Sequence, residues 1–303
     1  MRDPYLLHMF NPTKNVSPFD VNMAYEADFD GVIPYSEVSL EDIHSLTQDT
    51  IFSRGPTGVK RTGIFIGGRE FSLALDMLEE ARKAMVPPFE VSVFADPSGA
   101  ITTATALMAC VEHWAIKLGK PSLEGLNVHI IGGTGPVGIC AGVVASRAGA
   151  NTYLVSHQGM GVALRIAEEY NQRYGTTLSA ADCCTERSTR EFMQQSDIVI
   201  GAAKAGVQVL STEQLQLAPN LIVAADVNAV PPLGIQGVGV QDMGKPIEGL
   251  DNQAVGIGAL AIGDIKYKVH YRIFQMMIEA RKPVYVDHNV AFDVAREFAA
   301  KIG

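Results

Sequence analysis

Short runs of consecutive apolar residues alternate along this chain with stretches whose apolar positions recur every three or four residues. YLLHMF (Tyr5–Phe10) is such a run, and the polar loop NPTKN follows it, with Lys14 read as a solvated charge. SPFDVNMAYEA then predicts a helix: Ser17 as N-cap, Pro18 at the first helical position and Asp20 three residues after the cap. GVIPYS returns as a strand, and SLEDIHSLTQD repeats the serine-to-acid helix start from Ser39. TGIFIGG predicts a strand with a glycine turn, SLALDMLEEARKAM a helix, and VSVFADPSG another strand ending in a turn.

A second series begins after the helical stretch TTATALMACVEHWAIKLG. Strands are predicted for NVHIIGG, NTYLVS, DIVIGAA, LIVAADV and AVGIGALAIG, with helices such as GVALRIAEEYNQRYG between several of them. Two long helical stretches, YKVHYRIFQMMIEARK and AFDVAREFAAKIG, end the chain. Strands separated by helices imply parallel sheets, with ligands outside the carboxyl ends of the strands. The expected fold is α/β, in two domains with a cleft between them.

VHIIGGTGPVGICAG carries Gly133-x-Gly135-x-x-Gly138 between an apolar strand and a helix of small residues. The first glycine permits a tight turn, the second lets backbone N–H groups approach a pyrophosphate, and the third lets helix and strand pack closely. In that context the motif predicts a dinucleotide site formed by Gly133, Thr134, Gly135, Pro136, Val137 and Gly138. The next strand ends in Ser156, His157 and Gln158. That tip has no carboxylate for a ribose hydroxyl and no arginine for a 2′-phosphate.

Composition narrows the class. The 303 residues are 47% hydrophobic and 19% charged, which fits an ordinary globular interior. A net charge of −9 argues against a nucleic-acid surface, which needs clustered Lys and Arg. No apolar run reaches the ~18–20 residues of a membrane span, and the first residues do not read as a signal peptide, so a cytoplasmic protein is expected. Cys110, Cys140, Cys183 and Cys184 have no metal-binding spacing and read as reduced, mostly buried thiols. No metal site is expected.

SPFDVNMAY, TGIFIGG, GGTGPVG, ADVNAVPPLGIQGV and VGIGALAIGDIKYKVH together resemble the bacterial methylene-tetrahydromethanopterin dehydrogenases, over nearly the whole chain. The resemblance implies a pterin-binding α/β domain in residues 1–104 and 268–303 and a Rossmann-type NAD(P) domain in 105–267. It also implies a homo-oligomer (trimer or hexamer), a tetrahydromethanopterin-type substrate, and a place in formaldehyde oxidation. One branch of that family uses NADP alone and follows the second strand with Gly-Arg-Lys. Ser156-His157-Gln158 is more similar to the branch that accepts both NAD and NADP.

The residues offer candidates for that reaction. Asp20 is placed either to accept the N–H and amino fork of a pterin or to cap its helix. Thr102 and Thr103 open a helix after FADPSGAI and are read as cleft residues, with N-capping as the alternative; Asp96 at the same turn is also a plain turn residue. The resemblance places Lys266 at the domain junction, as a substrate-positioning group. Asn228 is suited to meet a carboxamide, and Ala203 and Ala205 leave room for a ribose. His113, His129 and His270 read as core or surface residues. The rival readings are a methylene-tetrahydrofolate dehydrogenase, a nucleotide-sensing protein without turnover, and a shikimate- or amino-acid-type dehydrogenase. The last needs a Lys–Asp proton-transfer pair that the sequence does not clearly show.

Overall fold

Residues 3–303 are described by a computed structural model. The chain runs β1 (Leu6–Phe10), α1 (Pro18–Glu26), β2 (Gly31–Tyr35), α2 (Ile43–Phe52), α3 (Pro56–Val59), β3 (Thr62–Ile66), α4 (Phe71–Lys83), β4 (Ser92–Ala95) and α5 (Ala100–Lys117). It continues through β5 (Asn127–Ile131), α6 (Pro136–Arg147), β6 (Asn151–Ser156), α7 (Met160–Tyr174), β7 (Ser179–Asp182), α8 (Glu186–Met193), β8 (Ile198–Gly201), α9 (Thr212–Leu215) and β9 (Val223–Asp226). Last come β10 (Met243–Pro246), β11 (Val255–Ile257), α10 (Ala259–Glu279), β12 (Tyr285–Val286) and α11 (His288–Ala299). Two compact units result: the chain up to Thr102 with Tyr267–Val294, and Thr103–Lys266 with Ala295–Gly303.

The first unit holds a parallel sheet in the order β12-β4-β3-β1-β2. Strands β3 and β4 are buried along their whole length, as the apolar runs that follow Thr62 and Ser92 in them require. Phe65, Phe94 and Phe274 meet edge-on or tilted at centroid distances of 5.4–5.7 Å and form an aromatic centre. From β1 the chain steps to β2 on one side and then to β3 on the other. The sheet therefore has its switch point between β1 and β3, where ligands gather in open α/β sheets.

The second unit holds the order β10-β11-β9-β8-β5-β6-β7, parallel except for β10 against β11. Its switch point lies between β5 and β8, and the glycine turn closes the carboxyl end of β5 there. Phe192, Met193, Val199, Ala224 and Ile235 contribute to one buried core cluster of this unit.

Three expectations need correction. The α2 helix begins at Ile43, not Ser39: Asp42 turns back and accepts from the Ser39 N–H (2.8 Å) and hydroxyl (2.7 Å), which closes a turn before the helix. AVGIGALAIG is a strand only over Val255–Ile257, and its second half opens the long α10 helix. Strands β7, β10 and β12 escaped the apolar pattern, since β7 reads only SAAD and β10 MGKP. Among the described residues, no helix is long and apolar enough to cross a membrane.

Candidate functional sites

A cavity of about 490 Å³ opens at the switch point of the first unit. Its walls are the loop after β1 (Asn11, Thr13, Lys14, Asn15, Ser17), the start of α1 (Pro18, Asp20), the turn after β3 (Gly67, Gly68, Arg69) and Ser98, with Met9 and Phe65 as apolar floor. Asn11 builds the first wall. Its side-chain amide donates to the Thr13 carbonyl (2.7 Å), the Thr13 hydroxyl (2.8 Å) and the Asn15 carbonyl (2.9 Å), so the loop is fixed from within. Asp20 is 3% exposed and contributes to the lining. The Ser17 hydroxyl makes no capping bond, although Ser17 holds the N-cap position. Lys14, read from sequence as a plain solvated charge, stands on the cavity wall.

Asp96 follows β4 and is fully buried. Its carboxylate accepts from the Ile101 N–H (2.9 Å), the Thr102 N–H (3.1 Å) and the Thr102 hydroxyl (2.6 Å). It satisfies the first-turn donors of α5 from outside the helix, as a capping residue would. Thr102 is equally buried, and its hydroxyl is directed to that carboxylate rather than outward. Thr103 is half-buried. His270, on α10, brings Nδ1 to 3.4 Å from Asp96 Oδ2 without hydrogen-bond geometry, and its ring lies among Phe19, Phe65, Phe94 and Phe274.

In the second unit the glycine turn separates packing from approach. A Cβ on Gly133 would lie 2.7 Å from the Ile130 carbonyl and 2.9 Å from Leu154 Cα; one on Gly138 would lie 2.5 Å from the Gly132 carbonyl. Both glycines are demanded by the fold. A Cβ on Gly135 would meet only the Gly132 carbonyl, at 3.5 Å, and its φ of −89° suits any residue. The fold leaves Gly135 open, at the N-cap of α6 with Pro136 next in the helix. Thr134 and Val137 are half-buried beside it. Such a helix start presents N–H groups and the positive end of its dipole to an anion.

The N-terminal methylene-tetrahydromethanopterin dehydrogenase domain model matches residues 18–98. The NAD(P)-dependent methylenetetrahydromethanopterin dehydrogenase of Methylorubrum extorquens is 45% identical over 97% of this chain and 98% of its own. The chain belongs to the methylene-tetrahydromethanopterin dehydrogenase family. The Bifunctional protein MdtA of the same organism is 30% identical over 97% of this chain and 99% of its own. Among solved structures, shikimate 5-dehydrogenase from Listeria monocytogenes shares the fold, with a TM-score of 0.51, 14% identity and coverage of 97% and 96% of the two chains.

In this family member the remaining candidates take distinct places. The Ser156 side chain is buried and accepts from the Gln158 N–H at 3.0 Å, shaping the turn that leaves His157 and Gln158 exposed. Ala203 is half-buried and Ala205 exposed, in the loop after β8. Gly132 lies against the backbone of Ala202 and Ala203, so that loop and the glycine turn are neighbours. Asn228 is buried and knits loops together: its carbonyl oxygen accepts from the Gly206 (3.1 Å) and Val230 (2.9 Å) N–H groups, and its amide donates to the Pro232 carbonyl at 2.9 Å. Behind it, Asp226 accepts from the Asn228 and Ile235 N–H groups, and burial raises its carboxyl above the ordinary range. Lys266 is half-buried on α10, while Lys268 is exposed.

Sequence reading missed Asp182. It ends β7 in register with Ser156 and accepts from the Cys184 N–H at 3.1 Å, so a carboxylate does stand beside the tip of β6. Cys183 is half-buried and Cys184 exposed, unlike the buried Cys110 and Cys140. Only the carboxyl-end position of SAAD, had it been read as a strand, would have singled Asp182 out.

Proposed function

We propose that this chain catalyses reversible hydride transfer from methylene-tetrahydromethanopterin to NAD or NADP, giving methenyl-tetrahydromethanopterin. Its likeness to the dehydrogenase of that name over 97% of the chain carries the reading. The open Gly135 at the start of α6 fits a dinucleotide pyrophosphate, and the cavity around Asp20 fits a pterin ring. Bound at the glycine turn, the nicotinamide cofactor supplies the hydride acceptor.

The reacting carbon of the substrate lies between two nitrogens whose lone pairs help expel hydride and leave a delocalised amidinium cation. No proton leaves that carbon, so a general base is not required. The work of the chain is binding and orientation. Asp20 receives the ring N–H and amino group as a fork, while Phe65 and Met9 line the apolar surface of the same cavity. Gly133, Thr134, Gly135, Pro136, Val137 and Gly138 cradle the pyrophosphate, and Ala203 and Ala205 leave room beside it. His157 and Gln158 meet the adenosine ribose, on the turn that the buried Ser156 shapes. Lys266 positions substrate by hydrogen bonding, because a cation beside a cationic product opposes the reaction. The same reading takes the protein as a cytoplasmic homo-oligomer of one-carbon metabolism, serving formaldehyde oxidation.

The test is isotopic. With substrate deuterated at the bridging carbon, the reduced nicotinamide should carry the label. Label released to water, or no absorbance change at the reduced-nicotinamide band with either cofactor, overturns the reading.

A further inference from the structure

The cavity of the first unit carries an unequal set of charges. Its lining includes Asp20, which is almost fully buried, together with two exposed cations, Lys14 and Arg69. Asp20 is the acidic side chain of that lining; Glu37 and Glu70, close by in sequence, are not part of it. A ligand that used only the Asp20 carboxylate would leave two positive charges facing its remainder.

Both cations stand on anchored backbone. Lys14 lies between Thr13 and Asn15, whose carbonyls are both held by the Asn11 side-chain amide. Arg69 follows Gly68, whose carbonyl accepts from the Ser98 hydroxyl at 2.8 Å. Each stem leaves a fixed point. This differs from lysines and arginines scattered over a surface, because the two points belong to neighbouring loops of one concave site: a Cβ on Gly68 would lie 2.6 Å from the Pro12 side chain.

We propose that Lys14 and Arg69 grip an anionic substituent, a carboxylate or phosphate, carried by the substrate at the end away from the ring that Asp20 receives. This rests on the pterin reading of the cavity and adds a specificity element to it. The ring edge, a neutral donor fork, goes to the buried carboxylate; the charged tail goes to the exposed cations. Exposure makes the tail contacts screenable by salt, whereas the Asp20 contact is shielded. Lys14 and Arg69 thereby select among pterins that share a ring and differ in the tail.

The experiment compares the intact methylene-pterin with the same pterin cut back to a neutral tail, in wild type and in a Lys14→Gln/Arg69→Gln double variant of the full chain. Melting temperature checks the fold. Wild type should show the lower KM for the intact substrate, and the double variant should shrink that preference about tenfold, the size of two partly solvated charge contacts. In wild type, about 0.5 M salt should also shrink it, and inorganic phosphate should compete with the intact substrate more than with the truncated one. If the preference survives the double substitution in a folded protein, the proposal falls while the dehydrogenase reading stands. If phosphate binds without raising the KM of the intact substrate, the cations serve a free anion and the proposal also falls. If wild type turns over neither pterin, the functional reading fails first and takes the proposal with it.

Discussion

Thr102 donates its hydroxyl to the Asp96 carboxylate at 2.6 Å, with both side chains fully buried. The same carboxylate holds two N–H groups at the start of α5. A threonine placed this way is a structural element of the helix start before it is anything else. Thr102→Val keeps the shape and removes the donor, and should cost on the order of 1–2 kcal/mol in urea unfolding. The value of kcat/KM should stay within about threefold. A collapse of kcat with an unchanged urea midpoint would instead give Thr102 a part in the reaction itself.

The glycine turn yields a prediction in which two glycines behave oppositely. Gly138→Ala forces a methyl to within 2.5 Å of a backbone carbonyl and should destabilise the second unit severely. Gly135→Ala has room and an ordinary backbone conformation. It should fold with nearly the wild-type melting temperature, yet raise the KM for both NAD and NADP by about tenfold or more, since the methyl occupies the space of the pyrophosphate. A Gly135→Ala enzyme with normal cofactor KM would place the pyrophosphate elsewhere.

Asp20 offers two readings that separate cleanly. As a pterin-binding carboxylate, it should respond to Asp20→Asn with a KM for the pterin raised about tenfold or more, because one half of the fork then presents a donor to a donor. As a helix-start acid, it should lose on the order of 1 kcal/mol of stability and leave KM alone. The cavity position favours the first outcome. Paired urea unfolding and steady-state measurements decide between them.

The alternating α/β order was legible because each buried parallel strand is an apolar run bounded by a glycine, proline or polar turn. The glycine motif was legible for the same reason. What stayed hidden had physical causes. The ALAIG segment opens a helix in which Ile262 is buried and Leu260 is exposed, and a short apolar run reads the same in sequence whether it folds as a helix or as a buried strand. Strand β7 contributes only short side chains, so no apolar run marked it and Asp182 went unread. The amide of Asn228 is engaged by Gly206, 22 residues away, a partner that no local pattern reveals. Lys14 looked like any loop lysine until the fold set its loop beside the turn after β3.

His129 predicts a pH dependence of stability. It is 1% exposed on β5, its Nδ1 meets the Ser196 hydroxyl at 2.9 Å, and its ring stacks on Tyr153 and Phe192. Burial lowers its pKa from 6.5 to about 4. The unfolded chain therefore takes up a proton near pH 6.5, while the folded chain refuses it until about pH 4. The stabilisation is complete above the higher value and is lost as pH falls through the lower one. Its full size is about 3 kcal/mol. His129→Phe removes the titration, and Ser196 keeps its bond to the Phe192 carbonyl. Between about pH 7 and 4 the variant should lose about 3 kcal/mol less unfolding free energy than wild type; an identical slope would refute the assignment.

Cofactor choice turns on the tip of β6. Ser156 is turned inward to the Gln158 N–H, so the exposed His157 and Gln158 are the side chains of that tip left to meet the adenosine ribose. Neither is a carboxylate or an arginine, which favours the use of both NAD and NADP. Asp182 stands in register with Ser156 and opposes a 2′-phosphate, while the Cys184 thiol donates to the His157 carbonyl at 3.4 Å. Asp182→Asn should therefore raise the ratio of kcat/KM for NADP over NAD. The rise should stay below about tenfold, the most that one partly solvated contact supplies. An unchanged ratio in a folded Asp182→Asn enzyme would remove Asp182 from cofactor selection.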